Sequence, residues 1–180
     1  MYLQNYHTER ILIRPLTETD IPVWEQFFTD PAYTQHVHLP PQPELSTYQR
    51  AEFWVNKQLA RYRENRYGLM ALTLPETGEL IGQCGLLTQE IDGELVTEIG
   101  YHLLIPFWGK GYATEAARFF KDLAFTTENA DEVVSIIDIG NTPSEKVAAR
   151  NGMKFLKTST FWEHSVNVYN ISKQTWLAAH

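Results

Sequence analysis

The sequence predicts an α/β fold built on one mixed sheet, and three observations carry that expectation. Apolar segments of strand length are interspersed with stretches of helical periodicity along the whole chain. The run from Val133 to Ile139 is rich in β-branched residues, the pattern of a central strand covered on both faces. The stretch from Glu98 to Ala116 carries a strand through Pro106 into a glycine turn that opens directly into a helix.

In chain order, Arg10 to Leu16 reads as the first strand, with Pro15 near its end where a lost N–H is tolerated. Thr17, Thr19 and Asp20 offer caps for a short helix from Ile21, which Asp30-Pro31 is expected to break. The proline-rich stretch from Gln35 to Pro43 is expected to be a loop beside the acceptor site. Tyr48, Ala51, Val55, Leu59 and Tyr62 recur at helical spacing and define a second helix from Tyr48 to Glu64.

Strands are expected from Tyr67 to Leu74 and from Glu79 to Leu87, joined through Pro75 and Gly78. Another runs from Val96 to Leu104, reached through an Asp92-Gly93 hairpin turn. A helix from Gly111 to Phe125 places Ala113, Ala116, Ala117, Phe120, Leu123 and Ala124 along one face. The strand at Val133 to Ile139 leads into a helix with Thr142 as its expected cap, Pro143 and Glu145 in its first turn, and Gly152 at its left-handed end. Two closing strands, Phe155 to Glu163 and Val166 to Ser172, are expected to turn near His164 and Ser165.

The 180 residues suit a single domain spanning 1–180, with no repeat or linker. With 21% charged and 43% hydrophobic residues and no apolar run near ~20 residues, the chain reads as a soluble protein without a membrane span. Cys84 is the single cysteine, so no internal disulfide forms, and the first ten residues lack the apolar core of a signal peptide. The expected compartment is the cytoplasm. A net charge of −7 argues against a nucleic-acid partner and suits attraction of cationic amines or basic peptide tails.

Gly109 and Gly111 supply the backbone freedom for a phosphate cradle at a helix start, where unpaired N–H groups and the helix dipole attract a pyrophosphate. Two other glycine motifs fail: Thr114 stands where a dinucleotide fingerprint needs glycine, and the triphosphate P-loop spacing is absent. His36 and His38 have metal-like spacing, but no cysteine or acidic cluster completes a site, so no metal is expected.

The run Trp108-Gly109-Lys110-Gly111-Tyr112-Ala113-Thr114-Glu115-Ala116 resembles the acetyl-CoA signature of the GNAT superfamily of N-acetyltransferases, in the form found in the ribosomal-protein (Rim-type) N-terminal acetyltransferase branch. The segment from Asn141 through Ser144 to Gly152-Met153 is similar to the superfamily's Asn-x-x-Ser helix, with Met153 in place of the usual phenylalanine. The resemblance implies a central sheet whose fourth and fifth strands splay apart, and acetyl-CoA as co-substrate. Its pantetheine arm would pair with the strand through Leu103 and Leu104, and its pyrophosphate would meet the amides from Lys110 to Thr114. Asn141 and Ser144 would also contact it.

The resemblance further implies Ser144 as proton donor to the departing thiolate, because Ala148 stands where many members carry a tyrosine. It implies Glu163 as general base, slightly preferred over Glu98 at the entry of the fourth strand. A main-chain N–H near Leu103 is the candidate for polarising the acetyl carbonyl. Tyr101 and His102 alternate on that strand, so one should face the cleft; with His38 they are the candidate acceptor contacts. Trp108 is expected to cover the cofactor or anchor the sheet end.

The implied activity is acetyl transfer to a primary amine, most like protein N-terminal acetylation by a monomer or homodimer. A small-molecule amine acetyltransferase and a non-catalytic acetyl-CoA-binding module are the alternatives.

Overall fold

A computed structural model describes residues 2–37 and 44–179. His38 and the rest of the expected proline-rich loop up to residue 43 lie outside the described residues. Among the described residues, eight strands form one sheet in the order β1-β2-β3-β4-β5-β6-β8-β7. They are β1 (Tyr6–His7), β2 (Leu12–Arg14), β3 (Met70–Thr73), β4 (Leu80–Ile91), β5 (Glu94–Leu103), β6 (Glu132–Asp138), β7 (Lys154–Phe161) and β8 (His164–Ser172). Every pairing is antiparallel except that between β5 and β6.

Two groups of helices cover the faces. On one face α4 (Tyr112–Thr126) and α5 (Thr142–Arg150) pack over Ile99, Leu103, Val133 and Ile137. Phe120 of α4 has no exposed surface. On the other face lie α1 (Ile21–Trp24), flanked by 3-10 turns, α2 (Pro31–Thr34) and α3 (Thr47–Arg63). Trp24, Phe27, Phe28, Tyr33 and Trp54 form an aromatic cluster there with Leu69, Ala71, Leu87 and Leu104. A short helix α6 (Lys173–Leu177) closes the described chain. No helix among the described residues is long and apolar enough to cross a membrane.

Local chemistry explains where the observed boundaries depart from the expected ones. Asp30-Pro31 starts a helix instead of only ending one: the Asp30 carboxylate accepts the Ala32 N–H at 2.8 Å and Pro31 occupies the first turn of α2. The expected first strand shortens to three residues of β2, and a further two-residue strand, β1, pairs with it. Ser46 and Gln49 make a reciprocal capping box at the start of α3. Asn141, not Thr142, caps α5, its side-chain oxygen accepting the Ser144 N–H at 3.2 Å.

The Asp92-Gly93 turn is a two-residue hairpin with φ of 53° and 81°, joining Ile91 to Glu94. The last hairpin turns earlier than expected, at Trp162-Glu163, with φ of 50° and 66°; His164 and Ser165 are already in β8. Glu163 is therefore a turn residue instead of the end of a strand.

Candidate active site

The site begins where β5 and β6 part. Their parallel pairing is anchored at Glu98 opposite Val134, and the Ser135 hydroxyl adds a 3.1 Å bond to the Ile99 carbonyl. Beyond that point a cleft opens, lined by residues of both strands, including Gly100, Tyr101, His102, Ile137 and Asp138. The Leu104 N–H is bonded to the Ile81 carbonyl of β4 at 2.9 Å. Antiparallel ladders alternate, so the main chains of Tyr101 and Leu103 turn the other way, toward the gap. Leu104 is thus tied to the sheet, whereas Leu103 presents its N–H to the cleft.

The Leu103 carbonyl accepts the Trp108 indole N–H at 2.7 Å. The same indole packs edge-on to Tyr33, with ring centroids 5.9 Å apart. The Tyr33 hydroxyl in turn accepts the Ile105 N–H at 2.9 Å. Trp108 thereby anchors the end of β5, and Tyr33, which carried no signal in the sequence, ties α2 to the same corner.

The turn after β5 forms the cradle. Gly109 and Gly111 take φ of 73° and 87°, left-handed values that side chains rarely adopt, and a Cβ on Gly109 would meet nothing within 4 Å. Gly111 precedes the first turn of α4, and Glu115 is the first residue to bond back, to the Gly111 carbonyl at 3.0 Å. The N–H groups of Tyr112, Ala113 and Thr114 consequently have no partner within the helix. This open set of donors, under glycines that leave room for a bulky group, fits the pyrophosphate of acetyl-CoA.

Arg10 braces the cradle. Its guanidinium donates to the Lys110 carbonyl at 2.9 Å and to Glu115 at 2.7 Å, and lies 4.7 Å from the centre of the Tyr112 ring. Partial burial pushes the Glu115 carboxyl up, but hydrogen bonds from Thr8 and Arg10 outweigh it and hold the group below its ordinary range. The Lys110 ammonium sits 5.5 Å from the Phe107 ring. Arg10 stands about a hundred residues away in sequence, which hid this role.

Strand alternation sends Tyr101 and His102 to opposite faces. On the α5 side, the Tyr101 hydroxyl donates to the Ser144 carbonyl at 2.9 Å. Burial raises its pKa well above the ordinary value, and a hydrogen bond with the Ser144 side chain offsets part of that rise. Ser144 itself is half-buried and lines the cleft beside Asn141.

On the opposite side, Glu98 and His102 share a face with Gly100 and Leu104. Glu98 is only 9% exposed, and its carboxylate accepts from Gln89 at 2.8 Å. Burial raises its pKa, and the Gln89 bond, the Ile136 N–H and the nearby charge of Arg61 offset this only in part. His102 packs edge-on against Trp54 and Phe27, with centroids 5.1 and 5.5 Å apart. Its low-dielectric surroundings push its pKa down to about 4, so the imidazole is neutral at physiological pH. His36, after α2, reaches across the cleft to Asp138 at the end of β6, with Nδ1 2.7 Å from the carboxylate. Glu163 is exposed in its turn; beside it the Trp162 ring lies 6.0 Å from the Lys57 ammonium of α3.

This arrangement matches known proteins over most of its length. A sequence profile of the acetyltransferase (GNAT) domain matches residues 10–154. The chain is 34% identical over 166 residues to the uncharacterised protein YkkB of Bacillus subtilis, covering 90% of this chain and 92% of that protein. An acetyltransferase structure from Agrobacterium tumefaciens superposes with a TM-score of 0.77 at 30% identity, covering 95% of both chains. The structure of RimL, a ribosomal alpha-N-protein acetyltransferase solved with coenzyme A, superposes with a TM-score of 0.78 at 15% identity, over 96% of this chain and 99% of that one. At that identity the likeness concerns the fold. The chain belongs to the GNAT acetyltransferase family and is an acetyl-CoA-dependent N-acetyltransferase.

Proposed function

We propose that the protein transfers acetyl from acetyl-CoA directly to a primary amine that enters on the α1–α3 face, with Glu98 as general base. The observation that carries this reading is the buried Glu98 carboxylate with its raised pKa, placed where β5 and β6 separate. A carboxyl in such surroundings takes up a proton more readily than an exposed one, which suits base catalysis near neutral pH. Glu163, in its exposed turn, lacks such surroundings.

In this mechanism the uncharged amine attacks the thioester carbonyl carbon and forms the C–N bond. The Leu103 N–H, facing the gap, stabilises the developing oxyanion. Glu98 accepts the proton that the nitrogen loses, relayed by a chain of waters along the cleft. Collapse breaks the C–S bond, and the Ser144 hydroxyl gives its proton to the departing sulfur and recovers one from water. The cradle from Trp108 to Thr114 holds the pyrophosphate, with Asn141 fixing the start of α5 and hence Ser144.

The acceptor reading with the closest family precedent is the α-amino group of a protein N-terminus. Such an amine has a reference pKa of about 7.7–8.0 and needs little help to lose its proton. A small cationic amine is the second reading, favoured by the Glu98 and Asp138 carboxylates lining the cleft. The test is CoA release from acetyl-CoA with free N-terminal peptides, lysine peptides with blocked termini, and small amines. Turnover of a primary amine that falls steeply in Glu98→Gln supports the proposal; acetyl-CoA binding with no turnover across the panel would leave a binding module instead.

A further inference from the structure

We infer that Asn151 is a positioning residue for acetyl transfer, whose side-chain amide sets where Ser144 stands relative to the pyrophosphate cradle. The inference rests on the proposed role of Ser144 and extends it to a residue that acts only through others. Asn151 ends α5, seven residues after Ser144, and is 3% exposed. Its side-chain nitrogen donates to the Val147 carbonyl at 3.1 Å, within its own helix, and to the Thr114 carbonyl at 3.3 Å, in the first turn of α4. Both neighbours are carbonyls, so the amide has to turn its NH2 group toward them. The main chain of the same residue gives α4 a second grip: the Lys121 ammonium donates to the Asn151 carbonyl at 3.2 Å. Lys121 stands two turns beyond Thr114 on the same face of α4. The last turn of α5 is thus clasped to the helix whose opening turn forms the cradle.

Hydrogen-bond satisfaction does not account for this amide. The Val147 carbonyl already accepts the Asn151 main-chain N–H at 3.1 Å, and the Thr114 carbonyl has the Arg118 N–H one turn on in α4. The Asn151 Oδ1 is buried with no partner among the described residues, a cost that an apolar side chain of similar shape would not carry. What the amide adds is alignment. At the start of α5 the Tyr101 hydroxyl holds the Ser144 carbonyl to β5; at its end Asn151 holds the helix to Thr114. A helix held at one end can pivot, whereas one held at both ends keeps its axis.

The cradle and Ser144 serve two parts of one ligand, the pyrophosphate and the sulfur, so their separation has to match its pantetheine arm. Thr114 belongs to the cradle, and the bond from Asn151 therefore joins the two sites. A displacement of ~1 Å at a reacting group costs up to about 100-fold in rate, so a small pivot of α5 is enough to matter. Affinity for the pyrophosphate depends instead on the glycines, the α4 amides and Arg10, which a change at Asn151 leaves in place.

The test uses wild type, Asn151→Leu, Ser144→Ala and the double variant, with the best acceptor of the amine panel. Leucine keeps the branched shape and removes both the donor and the orphaned oxygen. In Asn151→Leu kcat should fall about tenfold, inside the ~100-fold that misplacement can cost. The CoA dissociation constant should stay within about twofold and Tm within ~4 °C of wild type. In the Ser144→Ala background the same change should cost less than about twofold more, because residues that act as a unit are not additive. Asn151→Ala, which adds no bulk, should repeat the loss in kcat. A residue that merely holds the fold would lower Tm and weaken CoA binding along with turnover.

Unchanged kcat in both Asn151 variants overturns the inference. So does a loss accompanied by a fall in Tm of more than ~4 °C, or one fully additive with Ser144→Ala; a lowered kcat in Ser144→Ala then leaves the role of the serine standing. Wild-type kcat in Ser144→Ala overturns both.

Discussion

The Tyr101 hydroxyl reaches across the parted strands to the Ser144 carbonyl, 2.9 Å away, and so ties β5 to the first turn of α5. This bond fixes the distance between β5 and Ser144, the residue proposed to protonate the departing sulfur. Tyr101→Phe should lower stability by about 1 kcal/mol, which for a chain of this size lowers Tm by about 2–4 °C. Differential scanning calorimetry checks this, and an unchanged Tm would show that the bond contributes nothing to the closed gap.

Ser144→Ala should reduce kcat about 100-fold, the lower end of what a single acid catalyst contributes, while acetyl-CoA affinity changes far less. The Asn141 cap, which accepts the Ser144 main-chain N–H, survives the substitution. Steady-state kinetics combined with calorimetric titration of acetyl-CoA separate the two effects. Wild-type kcat would remove the hydroxyl from the mechanism.

At the cradle, Gly109→Glu places a negative side chain beside the amides of α4 and forces a left-handed residue with φ of 73° to carry a Cβ. The strain alone is about 1–2 kcal/mol, and repulsion of the pyrophosphate adds to it. Arg10→Ala leaves the glycines intact but frees the Lys110 carbonyl and Glu115. Titration calorimetry should show acetyl-CoA binding weakened in both variants, more in Gly109→Glu.

The two buried titratable groups on the acceptor face make opposite contributions to stability as pH changes. The pKa of Glu98 is raised in the folded state, so its carboxyl costs nothing below the unfolded value and costs stability as pH rises through the folded value. Glu98→Gln should therefore gain stability relative to wild type at pH 8 and lose that gain at pH 4. His102 is depressed to about 4; between about 4 and 6.5 the unfolded chain binds the proton and the native one does not, so stability falls as pH drops through that window. Denaturant melts of wild type, Glu98→Gln and His102→Phe across pH 4–8 test both signs.

Local signals carried most of the fold. The Asp92-Gly93 hairpin, the β-branched run of β6 and the glycine turn before α4 all rest on residues adjacent in sequence. Cap identity shifted by one residue at α5 because Asn141 and Thr142 are both competent caps, and the backbone geometry favoured Asn141. The turn at Trp162-Glu163 escaped because non-glycine residues occupy its left-handed positions, leaving no glycine mark.

The site was less legible. Its signature residues were visible, but the groups that brace and face them come from far along the chain: Arg10 on the cradle, Tyr33 on the Ile105 N–H, and His36 on Asp138. Those contacts follow from the sheet order, which no local pattern specifies. The burial that distinguishes Glu98 from Glu163 likewise arises from tertiary packing.

The most direct test compares Glu98→Gln with Glu163→Gln in acetyl transfer to the best primary-amine acceptor, measuring kcat and the acetyl-CoA dissociation constant together. The account predicts a loss of about 100-fold in kcat for Glu98→Gln, with acetyl-CoA affinity retained, and activity within about twofold of wild type for Glu163→Gln. A large loss in Glu163→Gln with Glu98→Gln fully active would contradict it and move the base to the β7–β8 turn.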